Sequence, residues 1–167
     1  MNCSHAISAQ QIKIDVENDI LKIACIERHK GTNRIVGVGY VKGYSLKSGA
    51  VATSVAHDSH NIITVGCNDD DIAVAVNAIN DSKGGIAVVE NGKIKALLEL
   101  PIAGLMSDEP LTTVNEKLEN AKSSAYELGA DKSIDPFMTL SFLSLPVIPS
   151  LRITTKGVFD AENWKML

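Results

Sequence analysis

The first alternation of apolar and polar residues runs through Ile12, Ile14 and Val16, the period of a half-buried strand. Ile20 to Glu27 (ILKIACIE) follows as a mixed apolar stretch of strand length, closed by Arg28, His29, Lys30 and Gly31. Ile35 to Val41 (IVGVGYV) alternates bulky residues with Gly37 and Gly39, and glycines inside a strand mark a close approach by another backbone, a side chain or a ligand. Gly49 to Val55 and Asn61 to Gly66 read as two further strands, separated by Ala56-His57-Asp58-Ser59-His60.

The period then changes. After Asn68, Asp69-Asp70-Asp71 precede Ile72, Val76 and Ile79 at helical spacing, and acidic residues there suit the positive end of a helix. Lys83-Gly84-Gly85 ends that helix. Ile86 to Glu90 and Lys93 to Leu100 flank Asn91-Gly92, a strong hairpin signal. Leu111, Val114, Leu118, Ala121, Ala125 and Leu128 follow 3-4-3-4-3 spacing and predict a second helix, with Ser107 or Asp108 as its cap and Gly129 at its close. Pro136 to Ile153 is nearly all apolar and reads as a buried strand ended by a bend at Pro146 and Pro149.

These elements predict one α+β domain over 1–167, with residues 1–11 frayed. Its expected form is a two-layer sandwich, a mixed sheet carrying two main helices on one face. An eightfold βα barrel takes ~250 residues, so no TIM barrel is expected. The chain has 167 residues, 45% of them hydrophobic and 22% charged, which suits a packed core. A formal net charge of −4, with no dense Lys/Arg cluster, argues against a nucleic-acid surface. Cys3, Cys25 and Cys67 form no CxxC pair and read as free thiols of a reducing compartment. With no secretory pattern at the first residues and no apolar run of ~20 residues, a cytoplasmic protein without membrane attachment is expected.

Candidate chemistry lies in the turns. His57 and His60, with Asp58 between them, have a spacing that permits convergence on a metal or proton transfer. Equally, their rings can serve only to bond backbone and one another at a tight turn, and a three-ligand set would need help from elsewhere, for example His29. Glu27-Arg28-His29 can clamp an anion, hold a neighbouring domain, or simply be a solvated strand end. Ser107 and Asp108 lie in a polar loop before the second helix. No phosphate-cradling glycine motif is present.

Several strings resemble the C-terminal domain of bacterial adenine deaminases of the metal-dependent amidohydrolase type. They include Glu27-Arg28-His29, Ser54-Val-Ala-His-Asp-Ser-His-Asn-Ile62, Leu100-Pro-Ile-Ala-Gly-Leu-Met-Ser-Asp108 and Asp135-Pro-Phe-Met-Thr-Leu-Ser-Phe142. The resemblance covers Ile14 to Asp160 in the family's order. It implies hydrolysis of adenine to hypoxanthine and ammonia in purine salvage. A divalent metal, manganese or iron, would be held by a catalytic barrel that has no counterpart here. The chain would then be an expressed fragment or a truncated gene product, inactive alone. The resemblance places His57, Asp58 and His60 near the active site, with His57 and His60 as metal candidates. Glu27, Arg28, His29, Ser107 and Asp108 become a supporting shell or interface. Expected partners are adenine, the barrel and, over an apolar docking face, a second copy. The alternatives are a stand-alone purine- or metal-binding regulatory module, and a structural lid or oligomerisation domain.

Overall fold

The computed structural model describes residues 13–29 and 35–167. Six strands form the main sheet: β1 (Leu21–Ile26), β2 (Val36–Val41), β3 (Ala50–Thr53), β4 (Ile62–Gly66), β5 (Gly85–Glu90) and β6 (Lys93–Glu99). Their order across the sheet is β2-β1-β4-β3-β5-β6. Helix α1 (Asp69–Asp81) links β4 to β5, and α2 (Leu111–Glu127) and α3 (Pro136–Leu143) follow β6. The chain ends in a small sheet of β7 (Leu151–Thr154), β8 (Gly157–Asp160) and β9 (Lys165–Met166).

The α+β class and the absence of a barrel agree with the sequence reading. Two details differ. Each strand pairing in the main sheet is antiparallel, where a mixed sheet was expected. The helices are also divided between its faces. On one face Ala24, Ala50, Ala52, Ala87 and Val89 pack with Ile72, Ala75 and Ile79 of α1. On the other, Ile23, Val51, Ile63, Val65 and Val88 pack with Ala121, Ala125 and Leu128 of α2, Leu140 of α3 and Ile153 of β7. The central strands are apolar on both sides, so each side needs a cover. Each fully buried Ile, Leu or Val contributes about 1.5–3 kcal/mol relative to exposure.

Local chemistry explains most element ends. Asn68 caps α1, its side chain accepting from Asp71 N at 2.8 Å. Gly84 N donates to Ile79 O at 2.8 Å as the helix stops. Asn91 and Gly92 turn the β5–β6 hairpin with φ of 52° and 72°, both positive as a type I′ turn requires. The glycines of β2 mark a backbone approach: a Cβ on Gly37 would lie 1.9 Å from the Thr154 carbonyl oxygen, and one on Gly39 2.9 Å from Val158 Cγ2. The small sheet lies against β2 there because those side chains are absent.

Four sequence expectations need correction. Ile12 lies outside the described residues, and Asp15 to Ile20 form a bridged turn in place of a strand, Asp15 N and Ile20 N each donating 2.8 Å bonds to the other's carbonyl. Neither Ser107 nor Asp108 caps α2: Pro110 takes that position without a side-chain bond, while Ser107 Oγ accepts from Glu109 N. Proline's fixed φ enters the helix without that cap. The α2 stripe begins at Val114, since Leu111 is 82% exposed. Pro136 to Leu143 is a helix in place of a strand, because Asp135 caps it through Phe137 N at 3.0 Å and Met138 N at 2.9 Å. Without a period, an apolar run does not distinguish a buried helix from a strand.

Candidate functional site

The antiparallel order brings the ends of β1, β3, β4 and β5 together at one end of the sheet, and most of the sequence-predicted residues gather in the loops there. Ala56 to His60 is a tight turn, closed by His60 N donating to Ala56 O at 2.7 Å. Within it the His57 and His60 rings meet edge to face at 5.9 Å between centroids. His57 also lies 5.9 Å from the Phe142 ring on α3, and its carbonyl accepts from Ser144 Oγ at 3.2 Å. Ser141 Oγ donates to the Val55 carbonyl. The helix that replaced the expected strand is therefore the floor of the histidine turn. Asp58 is exposed.

Arg28 ties this turn to two others. Its Nε donates to His60 O at 2.9 Å, Nη2 to Ala103 O at 2.8 Å and Nη1 to Lys83 O at 3.3 Å. Its backbone N donates to Asn61 Oδ1 at 3.1 Å. Gly104 has φ of 75°, and a Cβ there would stand 2.6 Å from the Arg28 guanidinium carbon. Behind it, Ser54 Oγ donates to Gly104 O at 2.6 Å and accepts from Gly85 N at 2.8 Å. The guanidinium thus clamps backbone of its own chain, a role outside the three readings its sequence suggested. Glu27 is buried, 7% exposed, and its Oε1 accepts from His29 N at 3.1 Å. His29 is exposed, and its Nε2 bonds Ser59 O at 2.7 Å.

The electrostatics favour the neutral form of His60. Burial, then the charges of His57 and Arg28, pull its pKa below the ordinary imidazole value, against a smaller opposing pull from Asp58. Its Nδ1 accepts from Ala56 N at 3.3 Å. No group of three or more His, Cys, Asp or Glu among the described residues is arranged to hold a metal ion. Ser107 and Asp108 stand apart from this arrangement. Ser107 bonds locally to Glu109 N, and Glu109 pairs with Lys117 of α2 at 2.8 Å.

Sequence reasoning missed Asn61, Ser54 and Gly104 as parts of this cluster, although each lies inside a string that carried the resemblance. It also missed Ser141 and Ser144, hidden in the run read as a strand. Asp135-Pro136, a capping residue followed by proline at the first helical position, was the signal that could have found them.

Fold and loops define an α+β domain with one polar, histidine-bearing end and exposed apolar residues beside it, among them Met138 at 44% and Phe142 at 45% exposure. No helix among the described residues is long and apolar enough to cross a membrane. Residues 2–165 match the adenine deaminase C-terminal domain family, and the chain belongs to that family. It is 57% identical over 148 residues to an adenine deaminase of Desulfatibacillum aliphaticivorans, covering 89% of this chain and 26% of that protein. It is 48% identical over 151 residues to one of Bacillus licheniformis, covering 90% and 26%. It is 47% identical over 157 residues to one of Bacillus subtilis, covering 94% and 27%. The chain thus spans about a quarter of the length of the curated relatives it matches.

Proposed function

We propose that this domain works as the C-terminal part of a cytoplasmic adenine deaminase of purine salvage, which adds water to adenine and releases hypoxanthine and ammonia. The observation that carries the reading is the braced turn of His57 and His60, set beside exposed Met138 and Phe142 at one end of the sheet. Titratable rings held on a rigid scaffold next to apolar surface suit a face that closes over a purine and meets another domain. Asp58 and His29 belong to the rim of that face. Glu27 and Arg28 support it from behind, while Ser107 and Asp108 lie on the loop leading into α2.

A divalent metal, manganese or iron, would supply the activated water for such a reaction. The residues here do not make up its ligand set. The Nδ1 of His60 is engaged with Ala56 N, His29 Nε2 with Ser59 O, and no three-ligand group exists among the described residues. The metal then belongs to a catalytic barrel outside this chain, and His57 and His60 serve the substrate side. A second copy of the whole enzyme is a further candidate partner for the apolar surface.

The test is reconstitution. A Bacillus subtilis adenine deaminase lacking the region that matches this chain is assayed for ammonia release from adenine, alone and with this chain added. The expected result is no activity from this chain with manganese, iron or zinc, and recovery of activity on mixing. A truncated enzyme fully active without the domain would refute the reading.

A further inference from the structure

We propose that Arg28 is a positioning residue that locks the 57–60 turn and the 101–106 loop into one face and holds His60 as its Nε2–H tautomer, a fixed hydrogen-bond donor for an acceptor atom of the purine. The inference rests on the deaminase reading for its ligand, and on geometry for everything else.

Hydrogen-bond polarity assigns the tautomer. The Ala56 N–H can only donate, and it meets His60 Nδ1 at 3.3 Å. Ala56 itself is fully buried, so the N–H cannot turn to water. A proton on Nδ1 would set two donors face to face. Nδ1 is thereby the acceptor, and the proton of the neutral ring sits on Nε2. No protein partner for Nε2 is seen among the described residues, which leaves that edge to a ligand. His29 has the opposite constraint: Ser59 O can only accept, so Nε2 of His29 carries the proton and Nδ1 is its acceptor edge.

The turn holds this geometry only while its backbone stays in place. His60 has φ of 52°, a region unfavourable for a residue with a side chain, and Arg28 Nε bonds the carbonyl of that same residue. The other arms of the guanidinium reach Lys83 O and Ala103 O. Three carbonyls from three segments thus converge on one planar fork, and lysine, with a single nitrogen, cannot span them. The absence of a side chain at Gly104 makes room for the fork. Arg28 touches no reacting atom; its effect passes through His60.

The experiment is long-range ¹⁵N–¹H spectroscopy of the histidine rings in this chain, with amide exchange measured alongside. The unaltered chain is expected to show His60 as the Nε2–H tautomer. Arg28→Lys should average that signal between the two tautomers and speed exchange at 103–105 and 56–60 at least about tenfold, a loss comparable to one hydrogen bond. Should Arg28→Lys fail to fold, Arg28→Gln, shorter but able to donate to one carbonyl, is read in the same way. A His60 ring found as Nδ1–H, or one indifferent to both substitutions, overturns the proposal. In the reconstituted enzyme Arg28→Lys should raise KM for adenine about tenfold while lowering kcat less. Reconstitution that fails while the ring signature and its response to Arg28→Lys are intact refutes the deaminase reading and leaves the lock standing.

Discussion

Asp71 offers a sharp test of how the fold is tied together. The residue sits in the first turn of α1, where an acidic side chain would be expected to face solvent, yet it is only 3% exposed. Its carboxylate accepts from Gly92 N at 2.7 Å and Asn91 N at 3.3 Å, and from Asn68 Nδ2 at 2.8 Å. One side chain therefore joins the helix start to the hairpin turn. A bond to a charged acceptor contributes about 1.5–3 kcal/mol. Asn91 and Gly92 lie on an exposed turn, so water can re-engage their N–H groups after the carboxylate is removed. The net cost of Asp71→Ala is therefore about 2 kcal/mol, below the sum of its bonds. For a domain of this size that corresponds to a fall in Tm of about 4–8 °C. Asp71→Asn keeps the shape but loses the charge and should cost about half as much. Urea denaturation of the three proteins, with amide exchange at Gly92, measures both. An Asp71→Ala variant within about 0.5 kcal/mol of the unaltered chain would show that the tie is not a source of stability.

Three further outcomes are expected. Gly37→Ala must drive its new methyl into the Thr154 carbonyl, displacing the small sheet at a cost of about 2 kcal/mol or more; Gly92→Ala, with open space around it and only its φ to strain, should cost about 1 kcal/mol, both read from denaturation midpoints. Burial and then Glu27 push the Cys25 thiol to about 12, and burial and then Asp71 push Cys67 to about 11. The folded state thus favours the protonated thiols, so their contribution is complete below about pH 8.5 and is lost as pH rises towards those values; in a Cys3→Ser variant, which leaves only these two thiols, thiol-reagent kinetics at pH 8 should be slow, and fast reaction of Cys25 or Cys67 would contradict this. In the reconstituted enzyme, His57→Ala should lower turnover by about 10²-fold if the ring assists proton transfer, with little change in Tm, whereas a lower Tm at unchanged turnover would make it structural.

Local chemistry was legible in the residues themselves. Asn68 and the acidic residues after it announced the start of α1, and Asn91-Gly92 announced the hairpin, because a cap or a turn depends only on neighbours within a few positions. The glycines of β2 announced a close approach but not its partner, the backbone of β7 and β8 more than a hundred residues away. The family too was visible, in strings that the histidine turn and the Arg28 contacts share. Tertiary structure decided the rest. Strand periodicity places residues on alternate sides of a sheet without saying which helix covers which side, so the division of α1 from α2 and α3 could not be read. The apolar run after Asp135 has no period to declare itself, and burial beneath the histidine turn accompanies its helical form. Arg28 meets Ala103 across 75 positions of sequence, and Asp71 meets Gly92 across 21. Such bonds depend on loops brought together only after the sheet has closed, and no local pattern of side chains contains them.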